Sequence, residues 1–177
     1  MSDKLFIELG GGGSERCRKR RFKQQDLRDV PGVDYVCKCW EIDGLIDENS
    51  VDGLYTRHMF EHLTFKQGEK SLQAWFKILK PGGSLEIILP NLEFHIQQLV
   101  QKRDIPGTSK KKGWKKHGIG GLFGWQGGEL EEVWDVHKSG YDTSMLKETL
   151  EKAGFTTVVK NGPLDRDLHF IANKPRV

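Results

Sequence analysis

The sequence predicts an α/β fold: a mostly parallel sheet of seven strands flanked by helices, with an antiparallel C-terminal strand. Three observations predict it. Short strand-like segments recur along the chain and alternate with helical patterns. The first, Leu5-Phe6-Ile7-Glu8-Leu9, runs directly into Gly10-Gly11-Gly12-Gly13. The last two are joined through Asn161-Gly162-Pro163, a turn region that suits a closing hairpin.

The strands are expected at Leu5–Leu9, Phe22–Gln25, Asp34–Cys37, Val51–Thr56, Ser84–Leu89, Thr156–Lys160 and Leu168–Ala172. Two helical patterns lie between them. Gln67–Leu79 places Leu72, Trp75, Phe76 and Leu79 on one face and stops at Lys80-Pro81-Gly82-Gly83, breakers that end a helix. Thr143–Ala153 groups Met145, Leu146, Leu150 and Ala153, closes on Gly154, and has Asp142 or Thr143 as its N-cap. Asp104 to Glu132 breaks the rhythm. It is rich in glycine, lysine and tryptophan, and a loop that long in a compact domain is usually functional or disordered.

At 177 residues the chain reads as a single domain, large enough to bury roughly 70 per cent of its unfolded surface without staples. The net charge of +3 gives no global polyelectrolyte signal; the basic character is local, in Arg16 to Arg21 and Lys110 to Lys116. No apolar run is long enough to span a bilayer, and the N-terminus lacks the apolar core of a signal peptide, so a cytoplasmic protein without membrane partners is expected. Cys17, Cys37 and Cys39 are odd in number, and a C-x-C without a second pair is no zinc framework. They read as reduced thiols.

A strand that ends in an acid and a glycine run is how an α/β sheet brings a nucleoside-type cofactor against its backbone. A dinucleotide needs its pyrophosphate on a helix N-terminus, with a third glycine where this chain has Glu15. Its carboxylate would oppose a pyrophosphate, and Ser14 to Phe22 is short and basic with no apolar stripe to pack a crossover helix. S-adenosylmethionine has no phosphate and carries a sulfonium and an ammonium, which an acid such as Glu8 favours. A plain tight turn is the structural alternative.

Ile7-Glu8-Leu9-Gly10-Gly11-Gly12, then Val51 to Leu63 with its Arg57-His58-Met59-Phe60-Glu61-His62-Leu63 ending, then Leu79-Lys80-Pro81-Gly82-Gly83, resemble the class I S-adenosylmethionine-dependent methyltransferases, most closely the small type 11 group. The tail His137-Lys138-Ser139-Gly140-Tyr141-Asp142 and Ala153-Gly154-Phe155 also resembles the end of such enzymes. The resemblance runs through most of the chain. It implies a Rossmann-like sheet and methyl transfer from S-adenosylmethionine, with S-adenosylhomocysteine as product. The acceptor is an oxygen or nitrogen of an unidentified molecule, expected to be small or a sugar-type metabolite.

Residue by residue, the resemblance implies that Glu8, Gly10, Gly11 and Gly12 hold the methionine part of the cofactor. Asp26 takes the ribose hydroxyls, with Asp29 as a substitute because the first crossover is short. Where the family often has an aspartate for adenine, this chain has Cys37-Lys38-Cys39-Trp40. Adenine recognition then rests on backbone groups of Cys39 or Trp40 and on stacking over Trp40. Arg57 and His58 face the transferred methyl, His58 and His137 are the candidate proton acceptors, and Gly118 to Gly128 forms a lid with Phe123 and Trp125 excluding water.

Three other readings compete. His58-Met59-Phe60-Glu61-His62 is also an H-x-x-E-H sequence, but a zinc hydrolase needs a third ligand that the sequence does not locate, and Val51–Thr56 reads as a strand entering the motif; no metal is expected and His62 reads as structural. The lysines near Trp114 and Trp125 invite a nucleic-acid methyltransferase reading, disfavoured because they sit in one glycine-interrupted loop. Lys38 and the short crossover suit a non-catalytic binding module.

Overall fold

The structure, a computed structural model, describes residues 4–13, 22–101, 115–126, 135–160 and 165–176. Strands β1 (Phe6–Leu9), β2 (Lys23–Asp26), β3 (Tyr35–Val36), β4 (Val51–Arg57), β5 (Leu79–Pro90), β6 (Thr156–Val159) and β7 (Asp167–Asn173) form one sheet in the order β3-β2-β1-β4-β5-β7-β6. Pairs among β1 to β5 are parallel, and β7 runs antiparallel to both β5 and β6. The single reversed strand is therefore the C-terminal one, as the sequence predicts.

Register explains the core. Ile7, Leu54, Leu85 and Ala172 are cross-strand partners in one row, and Leu9, Thr56, Ile87 and Phe170 in the row two residues on. All eight are essentially buried, because side chains two apart on a strand share a face. Helix α1 (Phe65–Ile78) packs Leu72, Trp75 and Ile78 into this core.

The helix starts earlier than its apolar stripe because Thr64 and Gln67 form a reciprocal capping box. It ends earlier too: Leu79 is already extended and pairs with Val51, so β5 begins there rather than at Ser84. The Pro-Gly-Gly breakers are absorbed as an irregularity in that strand, with Gly82 at φ +81°.

Helix α2 (Leu92–Gln101) is not anticipated by the sequence reading. Its apolar Ile96 and Val100 are exposed and only His95 is buried, so its pattern is not that of a core-facing helix. A π-helical turn (Lys115–Gly120) leads into the short α3 (Gly121–Phe123), and α4 (Thr143–Lys152) is capped by Asp142, whose Oδ1 accepts the Met145 N–H at 2.8 Å.

Among the described residues no helix is long and apolar enough to cross a membrane. Glu15, Cys17, the basic stretch 16–21, the lysines at 110–112, Trp114, most of the 104–132 segment and the turn at Asn161, Gly162 and Pro163 lie outside the described residues.

Candidate active site

Strand order reverses between β1 and β4: one neighbour of β1 is the next strand in sequence, the other is reached by crossing back. In open α/β sheets the crevice at the carboxyl end of such a switch point is where ligands bind. A cavity of about 360 Å³ opens there, walled by Gly10 after β1, Asp26 at the end of β2 and Arg28 beyond it, Lys38, Cys39 and Trp40 after β3, and His58 and Met59 after β4. His62 and Leu63, Gln67 of α1, and Asp135 and Lys138 from the segment before α4 also line it.

The glycine turn is shaped by its neighbours. Gly10 has φ +70° and its N–H donates to the Gln25 carbonyl at 2.8 Å; a Cβ there would run into the Met59 side chain. Gly12, at φ +77°, donates its N–H to Asp26 Oδ2 at 2.9 Å, and Gly13 donates to Gln24 Oε1 at 3.0 Å. The loop is thus laced to β2 before any ligand arrives.

Asp26 sits in the cavity wall with its carboxylate fully engaged. Oδ1 accepts from the Arg28 backbone N–H at 3.0 Å and from Arg28 Nε at 2.9 Å; Oδ2 accepts from Gly12 and from Arg28 Nη2 at 3.2 Å. A carboxylate offers about four acceptor positions, so all are taken. Burial pushes the Asp26 carboxyl up, but the Arg28 and Gly12 bonds outweigh it and hold it below its ordinary value. Asp29 is absent from the cavity wall.

On the far side, Trp40 is half-buried, with Lys38 Nζ 5.9 Å from its ring centroid and 3.3 Å from Glu41. The Cys39 carbonyl accepts from Trp75 Nε1 at 2.9 Å, and its thiol meets Ser71 Oγ at 3.4 Å, which ties the loop after β3 to α1. Burial pushes the Cys39 thiol up to about 11 and also raises Cys37, so both are protonated at neutral pH.

His58 leaves β4 at φ +50°, a left-handed conformation uncommon outside glycine. Its Nδ1 lies 3.5 Å from Glu61 Oε1 and its Nε2 3.8 Å from Asp167 Oδ2. A 3-10 turn (Phe60–His62) follows, and the segment before α4 is stapled to it: Lys138 and Ser139 N–H groups donate to the Glu61 carbonyl at 2.8 and 3.1 Å. His62 Nδ1 meets the Val136 carbonyl at 3.0 Å, and His137 Nδ1 meets the Gly121 carbonyl at 3.0 Å. Burial lowers the His137 pKa against the opposing pull of Glu61.

Of the residues singled out in the sequence, Gly10, Asp26, Cys39, Trp40 and His58 line the cavity. Glu8, Gly11, Gly12, Arg57 and His137 do not. Glu8 is buried within β1, one residue before the strand ends, paired in register with Gln24 and Tyr55. Phe123 and Trp125 are more than half exposed and stand away from the cavity. Their segment instead runs along residues 135–137, with Gly124 bridged to Val136 and with no room for a Cβ against Asp135. Arg28, Met59, Gln67, Asp135 and Lys138 are wall residues that sequence reasoning missed. The His137-Lys138 motif was the one signal pointing toward the last two.

Residues 8–87 match a family model described as a methyltransferase domain. That segment carries the pattern of a methyltransferase domain. The match takes in the glycine turn, the Arg57–Leu63 segment and the Pro81-Gly82-Gly83 strand entry. Among curated proteins, none matches it in sequence.

The domain's fold recurs in solved structures. One is an S-adenosylmethionine-dependent methyltransferase of Thermotoga maritima, described as a possible histamine N-methyltransferase: 14% identity, TM-score 0.61, covering 98% of this chain and 84% of that one. Another is the Burkholderia thailandensis 1,6-didemethyltoxoflavin-N1-methyltransferase with bound S-adenosylhomocysteine: 18% identity, TM-score 0.59, covering 97% and 71%. The chain spans 49% of the CurJ carbon methyltransferase structure, at 13% identity and TM-score 0.59, and covers 97% of itself in doing so. At these identities the likeness establishes the fold.

Proposed function

We propose that this methyltransferase domain transfers a methyl group from S-adenosylmethionine to an oxygen or nitrogen of a small-molecule acceptor. The observation that carries the reading is the cavity at the switch point, with the glycine turn on one side, Trp40 on the other and His58 at the end of β4. Its volume lies in the range of small-molecule sites, and its wall mixes apolar surface with a few polar groups.

The residues fit the cofactor with one adjustment. Gly10 offers a close backbone approach, Trp40 offers an aromatic face, and Asp26 offers a carboxylate once the half-exposed Arg28 side chain swings off it. When bound, S-adenosylmethionine supplies an electrophilic methyl on a sulfonium. The protein's part is to hold the acceptor in line and exclude water, effects that together contribute on the order of 7–11 kcal/mol. His58 stands where an acceptor proton can be taken, its ring held between Glu61 and Asp167. Free Cys37 and Cys39 support a reducing, cytoplasmic setting.

A second reading, a binding module that keeps the fold without the cofactor, is favoured by the occupied Asp26 carboxylate. Calorimetry with S-adenosylhomocysteine separates the two. Binding at one site, with about 2.7 kcal/mol of stabilisation at a hundredfold excess over Kd, supports the enzyme. Absence of heat and of any thermal shift at millimolar ligand would overturn it.

A further inference from the structure

Glu61 is a buried carboxylate, 2% exposed, and neither of its side-chain oxygens has a hydrogen-bond partner among the described residues. A carboxylate taken out of water without donors is strongly destabilising, so such a group calls for a proton or a cation, and neighbouring metal-binding imidazoles favour the cation. Three imidazoles surround it: His58, with Nδ1 at 3.5 Å from Oε1 and its ring shared with Asp167, and the two that face each other, His62 and His137. His137 Nε2 lies 4.0 Å from Glu61 Oε1, and the His62 and His137 rings meet edge to face at 5.1 Å.

The tautomers follow from the backbone. A carbonyl only accepts, so the His62 bond to Val136 and the His137 bond to Gly121 both place the proton on Nδ1. Each ring is left with an unprotonated Nε2. A histidine that ligates a metal through one nitrogen usually donates the other N–H to a carbonyl or carboxylate, and here two neighbouring histidines do so. One donor atom from each of Glu61, His62 and His137 lies within 4.8 Å of the others. Donors on a tetrahedral zinc ion at about 2.0 to 2.2 Å stand roughly 3.3 to 3.6 Å apart, so the side chains must rotate inward by about an ångström to close the set.

We infer that Glu61, His62 and His137 form a binding site for one divalent first-row transition metal ion, of the zinc class, in the wall of the cavity. Two imidazoles and a carboxylate are the donor set such ions take. The segments that supply them are pinned together by the Lys138 and Ser139 N–H bonds to the Glu61 carbonyl, so the site is braced without the ion. His62 lines the cavity, which leaves the ion's remaining positions for water or an acceptor oxygen. The arrangement is not the helical H-x-x-E-H pair of a zinc hydrolase. His58 points to Glu61 and Asp167 and stays outside the ligand set, while the third ligand comes from 75 residues further on, where spacing in the sequence gives no clue.

The test uses the full chain, stripped with chelator and dialysed, titrated with zinc alone by calorimetry and with cobalt(II) alone by visible absorption. One ion per chain is expected, with Glu61→Gln and His137→Ala each weakening it at least a hundredfold, and with His169→Ala, which faces Glu86 at 3.0 Å, as the unchanged control. Glu61→Gln also serves where His137→Ala fails to fold. It removes the buried charge, so the metal-free variant should melt higher than the metal-free wild type, whereas metal-loaded wild type should melt above both. Absence of stoichiometric zinc and cobalt binding, or binding that survives both ligand variants, would overturn the site. Because no cofactor is present in the titration, the result is independent of whether S-adenosylhomocysteine binds.

Discussion

Arg28→Ala is expected to tighten S-adenosylhomocysteine binding about fivefold. Four hydrogen bonds fill the Asp26 carboxylate, two from backbone N–H groups of Gly12 and Arg28 and two from the Arg28 guanidinium. Alanine keeps the backbone pair and frees one acceptor position on each oxygen, the two positions that a pair of ribose hydroxyls needs. The obstacle removed is an ion pair whose arginine side chain is 46% exposed. Exposed pairs are worth about 0–1 kcal/mol, and the forked geometry here belongs at the upper end. About 1 kcal/mol is a factor of roughly five in Kd. Calorimetry on wild type and Arg28→Ala measures it. Unchanged affinity would refute the assignment of Asp26 to the cofactor, and weaker affinity would make Arg28 itself the contact. The same pair sets an acid dependence. Because the Asp26 carboxyl is held below its ordinary value in the fold, its contribution to stability is present above the unfolded carboxylate's pKa and is lost as pH falls through the folded one. The acid-side fall in Tm should therefore be shallower in Arg28→Ala.

Gly10→Ala should cost about 1–2 kcal/mol from its positive φ and as much again from the clash with Met59, and Met59→Ala in the same chain should recover only part of the second, since it removes Cγ but keeps a Cβ at 2.9 Å; thermal melts of the three variants decide it. Trp40→Ala should weaken S-adenosylhomocysteine binding by about 1–3 kcal/mol with little change in Tm, since the half-buried ring borders the cavity rather than the centre of the core; a large Tm loss with unchanged affinity would make it a packing residue. Asp142→Ala should destabilise by about 1 kcal/mol through loss of the α4 cap, and this deficit should vanish in acid, because the Ser144 and Met145 bonds hold the carboxyl low and its contribution is lost as pH falls through that value. Melts at neutral and at low pH compare the two.

The sheet was legible because each central strand repeats an apolar alternation that only one face can bury, as in Ile7 and Leu9 or Leu85, Ile87 and Leu89. The switch-point glycines were legible because positive φ admits few other residues. Helix α2 was not, since its apolar residues face outward and leave no stripe directed at the core. Nor was the state of Asp26: an acid and an arginine two residues apart are common in loops, and only the backbone course after β2 turns the guanidinium back onto the carboxylate. The Phe123 and Trp125 expectation rested on composition, whereas the glycines around them serve close packing against His95 and Asp135.

The cavity is built from two parts of the chain. The side proposed for the cofactor comes from the ends of β1, β2 and β3 and the start of the 60–62 turn, all within the residues that match the methyltransferase-domain model. Its other side comes from Asp135 and Lys138, beyond that match, brought in by hydrogen bonds to the Glu61 carbonyl and the His62 ring. A shared cofactor demands similar surroundings in the first half, while an acceptor is read by whatever the second half supplies. Glu61 and His62 are the hinge between the two, since their backbone and side chains fix where residues 136–139 lie. Changes at positions 135–138 should therefore alter acceptor choice and leave S-adenosylhomocysteine affinity nearly constant. Lys138→Ala is the cleanest case, because its backbone bond survives the substitution and only the exposed side chain at the cavity mouth is lost. A fall in cofactor affinity equal to the fall in turnover would contradict this division of the site.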